Sequence, residues 1–172
     1  MILKAIFLWL KKRSTLVFLT LLFFLFNVLL NYFLPSEYAL DLKFAYSVDQ
    51  AYQSLGNLSL SERNAYKFGI IALDFPYMLV YGLLAIGLLR IFWKSSKVAI
   101  LPLGIFVMDF FENILIIGIL NDFPERHQVL ATLASIFTTS KWMLVGLLAI
   151  FLLVGLMSHY RIYPNTVRSE NS

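Results

Sequence analysis

Four long apolar stretches dominate the chain, and polar residues interrupt each of them at helical spacing. The predicted spans are about 14–34, 68–93, 98–120 and 136–157. A helix needs about 20 apolar residues to cross the hydrocarbon core of a bilayer. It also satisfies its own backbone hydrogen bonds, which a segment surrounded by lipid requires. The pattern therefore predicts an all-α protein, a four-helix transmembrane bundle forming one integral membrane domain over residues 1–172.

The one long connection, residues 35–66, contains two helix starts. Each is a serine followed three residues later by a glutamine or glutamate, the capping-box pattern: Ser47 with Gln50, and Ser59 with Glu62. Between the two boxes, four apolar residues fall on one helical face: Val48, Ala51, Tyr52 and Leu55. We expect a short amphipathic helix there, lying over the outer mouth of the bundle. The second box is expected to begin the helix that becomes the second span.

Composition agrees with a membrane protein. Hydrophobic residues make up 60% of the chain and charged residues 14%, against about 45–50% and about 25% in soluble domains. These values exclude an ordinary soluble globule and a disordered chain. The absence of cysteine excludes disulfides, thiolate metal sites and cysteine nucleophiles.

The charges outside the spans predict an orientation. Nine Lys and Arg residues lie before the first span, at the loop between the second and third spans, or in the C-terminal tail. These three segments contain one acid. The opposite side has four basic residues and six acids. By the positive-inside rule, both termini are cytoplasmic, in a bacterial inner or plasma membrane. The net charge of +4 then reflects topology, and the bilayer, not nucleic acid, is the expected partner.

Polar residues inside the spans form one stripe on each helix. A rise of about 1.5 Å per residue places the ionisable ones in the predicted outer half or near the midplane. Such residues are costly in lipid and usually face the bundle interior. The candidate binding pocket comprises Asn27, Asn31, Asp74, Tyr77, Tyr81, Asp109, Glu112, Asn113 and Lys141. Thr20 and Thr138 extend the first and fourth stripes. The alternative interpretation is that these polar groups only hold the helices together.

Three acids against one lysine leave a formal charge of −2 inside the spans. We expect Lys141 to pair with Asp74 or Glu112. Asp109 and Glu112 are close enough to repel each other, so one of the two is expected to hold a proton. The remaining acid is expected to hold a proton, a cation or a ligand amine. Three basic residues at the outer rim are expected to guard the mouth: Arg63, Arg126 and His127.

Pro76 adds a local irregularity to the second span. Proline lacks an N–H, and its ring displaces the carbonyl four residues earlier, here that of Ala72. We therefore predict a freed carbonyl, and a possible kink, close to Asp74.

Three functional hypotheses fit these features. The first is a binding or transport-accessory protein with an outward-facing acidic pocket for a small amphiphile or lipid. The second is an enzyme acting on a lipid, with Asp109 or Glu112 as general acid and Asp74 as base. The third is a structural subunit of a membrane complex, or a homo-oligomer. No catalytic or dinucleotide motif occurs, and no cofactor or metal is predicted.

Several motifs carry a family resemblance. LDFPYMLVYG, DFFEN and TTSKW, with YSVDQAYQSLG and ERNAY before them, resemble the pattern of uncharacterised four-span membrane proteins of prokaryotes. The resemblance covers most of residues 41–142 and implies a four-span fold but no activity. In shape the chain is also similar to the sterol isomerase and sigma-2 receptor group. That group has four spans and membrane-buried acids, but this chain has no histidine within a span.

Overall fold

The computed structural model describes residues 8–93 and 95–162. Four of its helices are long and apolar enough to cross a membrane, and a fifth is short. In chain order they are α1 (Arg13–Phe33), α2 (Val48–Gly56), α3 (Leu60–Phe92), α4 (Ile100–Asp122) and α5 (Gln128–Ile162). Within these residues there is no strand. The predicted all-α four-helix bundle is confirmed, and the chain is a multi-pass integral membrane protein.

The helices do not pack evenly around a centre. α4 and α5 form a closely packed antiparallel pair, and α3 packs against both of them and against α1. Across the described residues, α1 has few close backbone contacts with α5. Most side chains of α1 lie on the outside of the bundle, as expected for a helix surrounded by lipid. A gap therefore separates α1 from α5, with α3 behind it.

Both capping boxes are present. Gln50 N donates to Ser47 Oγ at 3.2 Å, and Ser47 N donates to the Gln50 side chain at 2.8 Å. The same reciprocal pair joins Ser59 and Glu62 at the start of α3. The predicted short helix is thus confirmed as α2, and it buries Ala51, Tyr52 and Leu55 against the ends of α4 and α5. We call this end of the bundle, with residues 34–59 and 123–127, the loop end.

The basic residues predicted to guard the mouth hold α2 and its neighbours in place instead. The Arg63 guanidinium donates to the backbone carbonyls of Leu55 and Leu58 and lies over the Phe123 ring. Two further contacts join the α4–α5 turn to α2: Arg126 pairs with Asp49, and the backbone N–H of His127 donates to Tyr52 Oη. These residues do not line the cavity described below.

A π-helical turn, Ile70–Asp74, interrupts α3 immediately before Pro76. The N–H of Phe75 donates to the carbonyl of Ile70, a bond five residues long instead of four. A wider turn accommodates the proline ring without breaking the helix, and such turns are frequent at functional sites. An irregular turn therefore lies beside Pro76 and includes Asp74. The freed carbonyl of Ala72 and the kink stay predictions.

The basic residues assigned to the cytoplasmic side are only partly described. Lys4, Lys94 and Arg168 lie outside the described residues, as does Glu170. The orientation of the bundle and the single-domain assignment stay predictions.

Candidate functional site

Lys141 of α5 is the centre of a buried ionic cluster. Its Nζ lies 2.6 Å from Glu112 Oε2 and 3.1 Å from Asp109 Oδ1, both on α4. The same Nζ donates to the backbone carbonyl of Asp41 at 3.3 Å. Of the two partners predicted for Lys141, Glu112 is therefore in contact, whereas Asp74 is not. Asp109, expected only to repel Glu112, is the second partner.

The other oxygens of these two acids accept hydrogen bonds from neighbouring helices. Tyr81 Oη donates to Asp109 Oδ2 at 2.7 Å, and Thr138 Oγ1 donates to Glu112 Oε1 at 2.7 Å. The Tyr46 hydroxyl lies 3.4 Å from Thr138 Oγ1. Burial raises the pKa of Tyr46, so its phenol keeps its proton near neutral pH. Asp109 and Glu112 are thus held on both oxygens.

Asp74 is in a different situation. Asn113 Nδ2 donates to Asp74 Oδ2 at 2.5 Å. Among the described residues, no donor reaches the other oxygen, Oδ1. Asp74 is 9% exposed and lines a cavity. Asp74 therefore presents one acceptor atom to that cavity without a protein partner.

Among the described residues, one hydrogen bond links the polar stripe of α1 to a site residue of α3. Asn27 Nδ2 donates to Tyr77 Oη at 2.9 Å, and the Tyr77 and Tyr81 rings meet edge to face, with centroids 5.3 Å apart. Asn31 is exposed, and its amide donates back to the carbonyl of Asn27 at 2.9 Å. The four predicted stripes are thus brought together, with Asn31 at the edge.

Sequence reasoning missed Asp41, which it placed among the outer-loop charges. Asp41 lies in a single 3-10 turn, Leu40–Leu42, and is buried. Its Oδ1 accepts from Tyr66 Oη at 2.5 Å, and its carbonyl accepts from Trp142 Nε1 at 3.1 Å as well as from Lys141. Residues 35–46, which we call the strap, are therefore fastened to α3 and α5 at this point.

A signal for Tyr66 was present in the sequence. Tyr66, Ile70 and Asp74 recur every four residues, which places them on one face of a helix. For Asp41 the only hint was its position between Leu40 and Leu42 in an otherwise apolar run.

A cavity of about 610 Å³ lies in the gap between α1 and α5. Its polar lining is concentrated toward the loop end and includes Asn27, Asn31, Asp41, Asp74, Tyr77, Tyr81, Asp109 and Lys141. Farther from the loop end the lining is mostly apolar: Leu84, Ala85, Leu88, Ile105, Val145, Leu148 and Leu152. Thr20 is the polar exception, and its hydroxyl donates to the carbonyl of Leu16 in its own helix. Glu112 and Asn113 are fully buried behind the polar end, and they do not line the cavity.

The polar end has a negative formal balance. Four carboxyl groups, those of Asp41, Asp74, Asp109 and Glu112, lie around one ammonium group, that of Lys141. With every group ionised, the formal charge is −3. Within the described residues, no group of three or more His, Asp or Glu side chains is placed to hold a metal ion. The arrangement favours a species that brings positive charge or hydrogen-bond donors.

Comparisons with known proteins add no family. No protein-family model, no curated protein and no solved structure matches the chain.

Proposed function

We propose that the protein binds an amphiphile in the cavity between α1 and α5. The observation that carries the proposal is the position of Asp74 Oδ1, to which no group of the described residues donates, at the polar end of a mostly apolar cavity. The polar group of the ligand would donate to Asp74, and its apolar part would cover the leucines farther along. A volume of about 610 Å³ lies within the range of small-molecule sites.

The chemistry of the polar end favours a cationic amine. An ammonium group offers three donors and no acceptor, which suits a site whose free group is a carboxylate oxygen. A hydrogen bond between charged groups is about twice as strong as a neutral one. An anionic headgroup would instead meet Asp41, Asp74 and Asp109. We therefore infer a primary or secondary amine as the preferred polar group.

The charge distribution supports a particular orientation of this site. With the basic flanks in the cytoplasm, the loop end would face outward, and the ligand amine would lie in the outer half of the membrane. The binding role is thus proposed for a protein of a bacterial inner or plasma membrane.

The contacts favour binding over acid–base catalysis. The enzyme hypothesis requires Asp109 or Glu112 to donate a proton to the substrate, with Asp74 as base. Asp109 is engaged by Lys141 and Tyr81, and Glu112 lies behind the cavity wall. One free carboxyl oxygen suffices for recognition, whereas acid–base chemistry needs two accessible groups. The structural-subunit hypothesis stays a prediction.

A thermal-shift experiment tests the proposal. A long-chain primary amine is added to the purified protein in a maltoside detergent, at a fixed mole fraction of the micelle. At about 100 times its Kd, it is expected to stabilise the protein by about 2.7 kcal/mol, which raises the apparent melting temperature by about 5–10 °C. In Asp74→Asn this rise is expected to fall to about half or less, because the affinity for the amine should be about 10–100-fold lower.

The controls are a chain-matched carboxylate and a distant acid. Asp49 forms an exposed ion pair with Arg126 outside the cavity, so Asp49→Asn should keep the full response to the amine. An equal rise with the carboxylate, or an undiminished rise in Asp74→Asn, would overturn the proposal.

Without ligand, Asp74→Asn is expected to be more stable than the wild type. Asp74 is a buried carboxylate with one unpaired oxygen, and an asparagine would keep the bond from Asn113 without the charge. We expect Asp74→Asn to be more stable than the wild type by about 1 kcal/mol, or about 2–4 °C in a melting scan. Asp49→Asn should change little, because exposed pairs contribute little. A clear loss of stability in Asp74→Asn would contradict an unpaired group at this position.

A further inference from the structure

The geometry points to a ligand with one aliphatic chain, lying along the gap between α1 and α5 with its amine at Asp74 and its chain directed away from the loop end. This inference rests on the proposed function and adds the class and the direction of the ligand. Four observations carry it: the order of the lining residues, the closed loop end, the open side and the volume.

The lining changes from polar to apolar in one direction along both α3 and α5. On α3 the order is Asp74, Tyr77 and Tyr81, followed by Leu84 and Leu88. On α5 it is Lys141 and Trp142, followed by Val145, Leu148 and Leu152. Seven residues separate Val145 from Leu152, so the apolar part is about 10 Å long. A ligand with a polar head and an aliphatic chain matches this gradient in one orientation only.

The loop end of the cavity is closed by the strap. Asp41 is tied to Tyr66, Trp142 and Lys141, and Ser36 and Leu42 of the strap also line the cavity. A chain therefore has no room beyond the amine in that direction.

The side between α1 and α5 is open, because α1 rests on α3 and scarcely contacts α5. In a membrane this side faces lipid, so the aliphatic chain of the ligand lies in contact with the acyl chains of the bilayer. One wall of the binding site is then the membrane itself, which favours a ligand that partitions into lipid over a water-soluble polar solute.

The volume suits a small ligand. A cavity of about 610 Å³ has room for an amine with one aliphatic chain. We therefore assign the ligand to the single-chain amines, such as a long-chain alkylamine.

Tryptophan quenching tests the direction of the chain. Replacing Trp9 and Trp93 by phenylalanine leaves Trp142 as the one tryptophan, at the polar end of the cavity. In a second protein Trp142 is also replaced by phenylalanine, and Leu152→Trp supplies the one tryptophan, at the apolar end. Each protein, in nanodiscs, is titrated with two long-chain amines, one brominated beside the amine and the other at the end of the chain.

We expect a crossed pattern. Bromine beside the amine should quench Trp142 more than the Leu152→Trp reporter, and bromine at the chain end should do the reverse. An excess of the unbrominated amine should restore the fluorescence. The reversed pattern, or equal quenching of both reporters by both amines, would overturn the inferred direction.

A second reporter at the apolar end checks the result obtained with Leu152→Trp. Leu148→Trp, in the same background with Trp142→Phe, is an additional reporter of the apolar end. All proteins of this background lack the bond from Trp142 to Asp41, so they are compared only with one another. The matched control is Leu147→Trp in the same background, because Leu147 is exposed on the outside of α5 and does not line the cavity. Quenching by the chain-end bromine should be relieved by unbrominated amine at position 148 and unaffected at position 147. Equal behaviour of the two would overturn the inference.

The result also separates this inference from the proposed function. If the amine stabilises the protein through Asp74 but the quenching pattern is not crossed, only the class and direction of the ligand are wrong. The proposed function itself fails if the amine does not stabilise the protein and if unbrominated amine does not relieve the quenching of any reporter.

Discussion

Replacing Lys141 by methionine is expected to destabilise the protein by about 3–5 kcal/mol, because two buried carboxyl groups lose their counter-ion. Lys141 contacts Asp109 and Glu112, and all three side chains are buried. In detergent this loss corresponds to a fall of about 10 °C or more in apparent melting temperature. The measurement is a thermal melt followed by size-exclusion chromatography, on which the variant should show an aggregated fraction.

Two companion variants make the result specific. Lys67→Met removes a half-buried lysine whose solvent-exposed hydrogen bond reaches Asn121 Oδ1 at 3.1 Å, and it should change the melting temperature little. Adding Asp109→Asn and Glu112→Gln to Lys141→Met removes the uncompensated charges and should recover much of the lost stability. If Lys141→Met is as stable as the wild type, the cluster does not hold α4 and α5 together.

Tyr66→Phe is expected to have the second largest effect on stability. Tyr66 is fully buried, and its hydroxyl donates to Asp41 Oδ1 and accepts from the backbone N–H of Leu40. The substitution leaves a buried carboxylate and a backbone donor without partners. The expected cost is about 2–4 kcal/mol, seen as a fall of about 5–15 °C in the thermal melt.

The effect should be greatest where the strap is attached. Hydrogen exchange is expected to rise at residues 39–43 before it rises in the four long helices, because these residues depend on the lost bonds. Tyr32→Phe is the matched control, since Tyr32 is 81% exposed on α1. Equal melting temperatures and equal exchange in Tyr66→Phe and the wild type would show that Tyr66 does not anchor the strap.

The elements of the fold could be predicted because they depend on local patterns. Length and apolarity define the four long helices, and the Ser–Gln and Ser–Glu spacings define where α2 and α3 begin. Helical spacing also identified the polar stripes, since residues three and four apart share a face. Each of these features is encoded within one segment of the chain.

The contacts between stripes could not be predicted in the same way. Whether Lys141 reaches Asp74 or Asp109 depends on the rotation of each helix about its axis, and the π-helical turn before Pro76 changes that rotation for Asp74. Similarly, Asp41 is buried because the strap folds back over α5, a tertiary contact between residues about 100 positions apart. The cavity itself follows from the poor contact of α1 with α5, which no single helix encodes.

In this bundle, the carboxyl groups that support stability differ from the one that we assign to binding. Asp109 and Glu112 are paired, so they contribute to holding the helices together. Among the residues that the structure describes, Asp74 accepts a hydrogen bond from Asn113 alone, and its other oxygen is an uncompensated acceptor at the cavity wall. A residue that costs stability and faces a cavity is the pattern expected of a binding group.

Equilibrium binding of a radiolabelled long-chain primary amine to the protein in nanodiscs tests the central claim most directly. We expect one equivalent bound by the wild type and an affinity about 10–100-fold lower in Asp74→Asn, since a hydrogen bond to a charged group contributes about 1.5–3 kcal/mol. Asp49→Asn should bind like the wild type, and a chain-matched carboxylate should not compete. Equal affinity in Asp74→Asn and the wild type, or full competition by the carboxylate, would contradict the claim that Asp74 recognises an amine in this cavity.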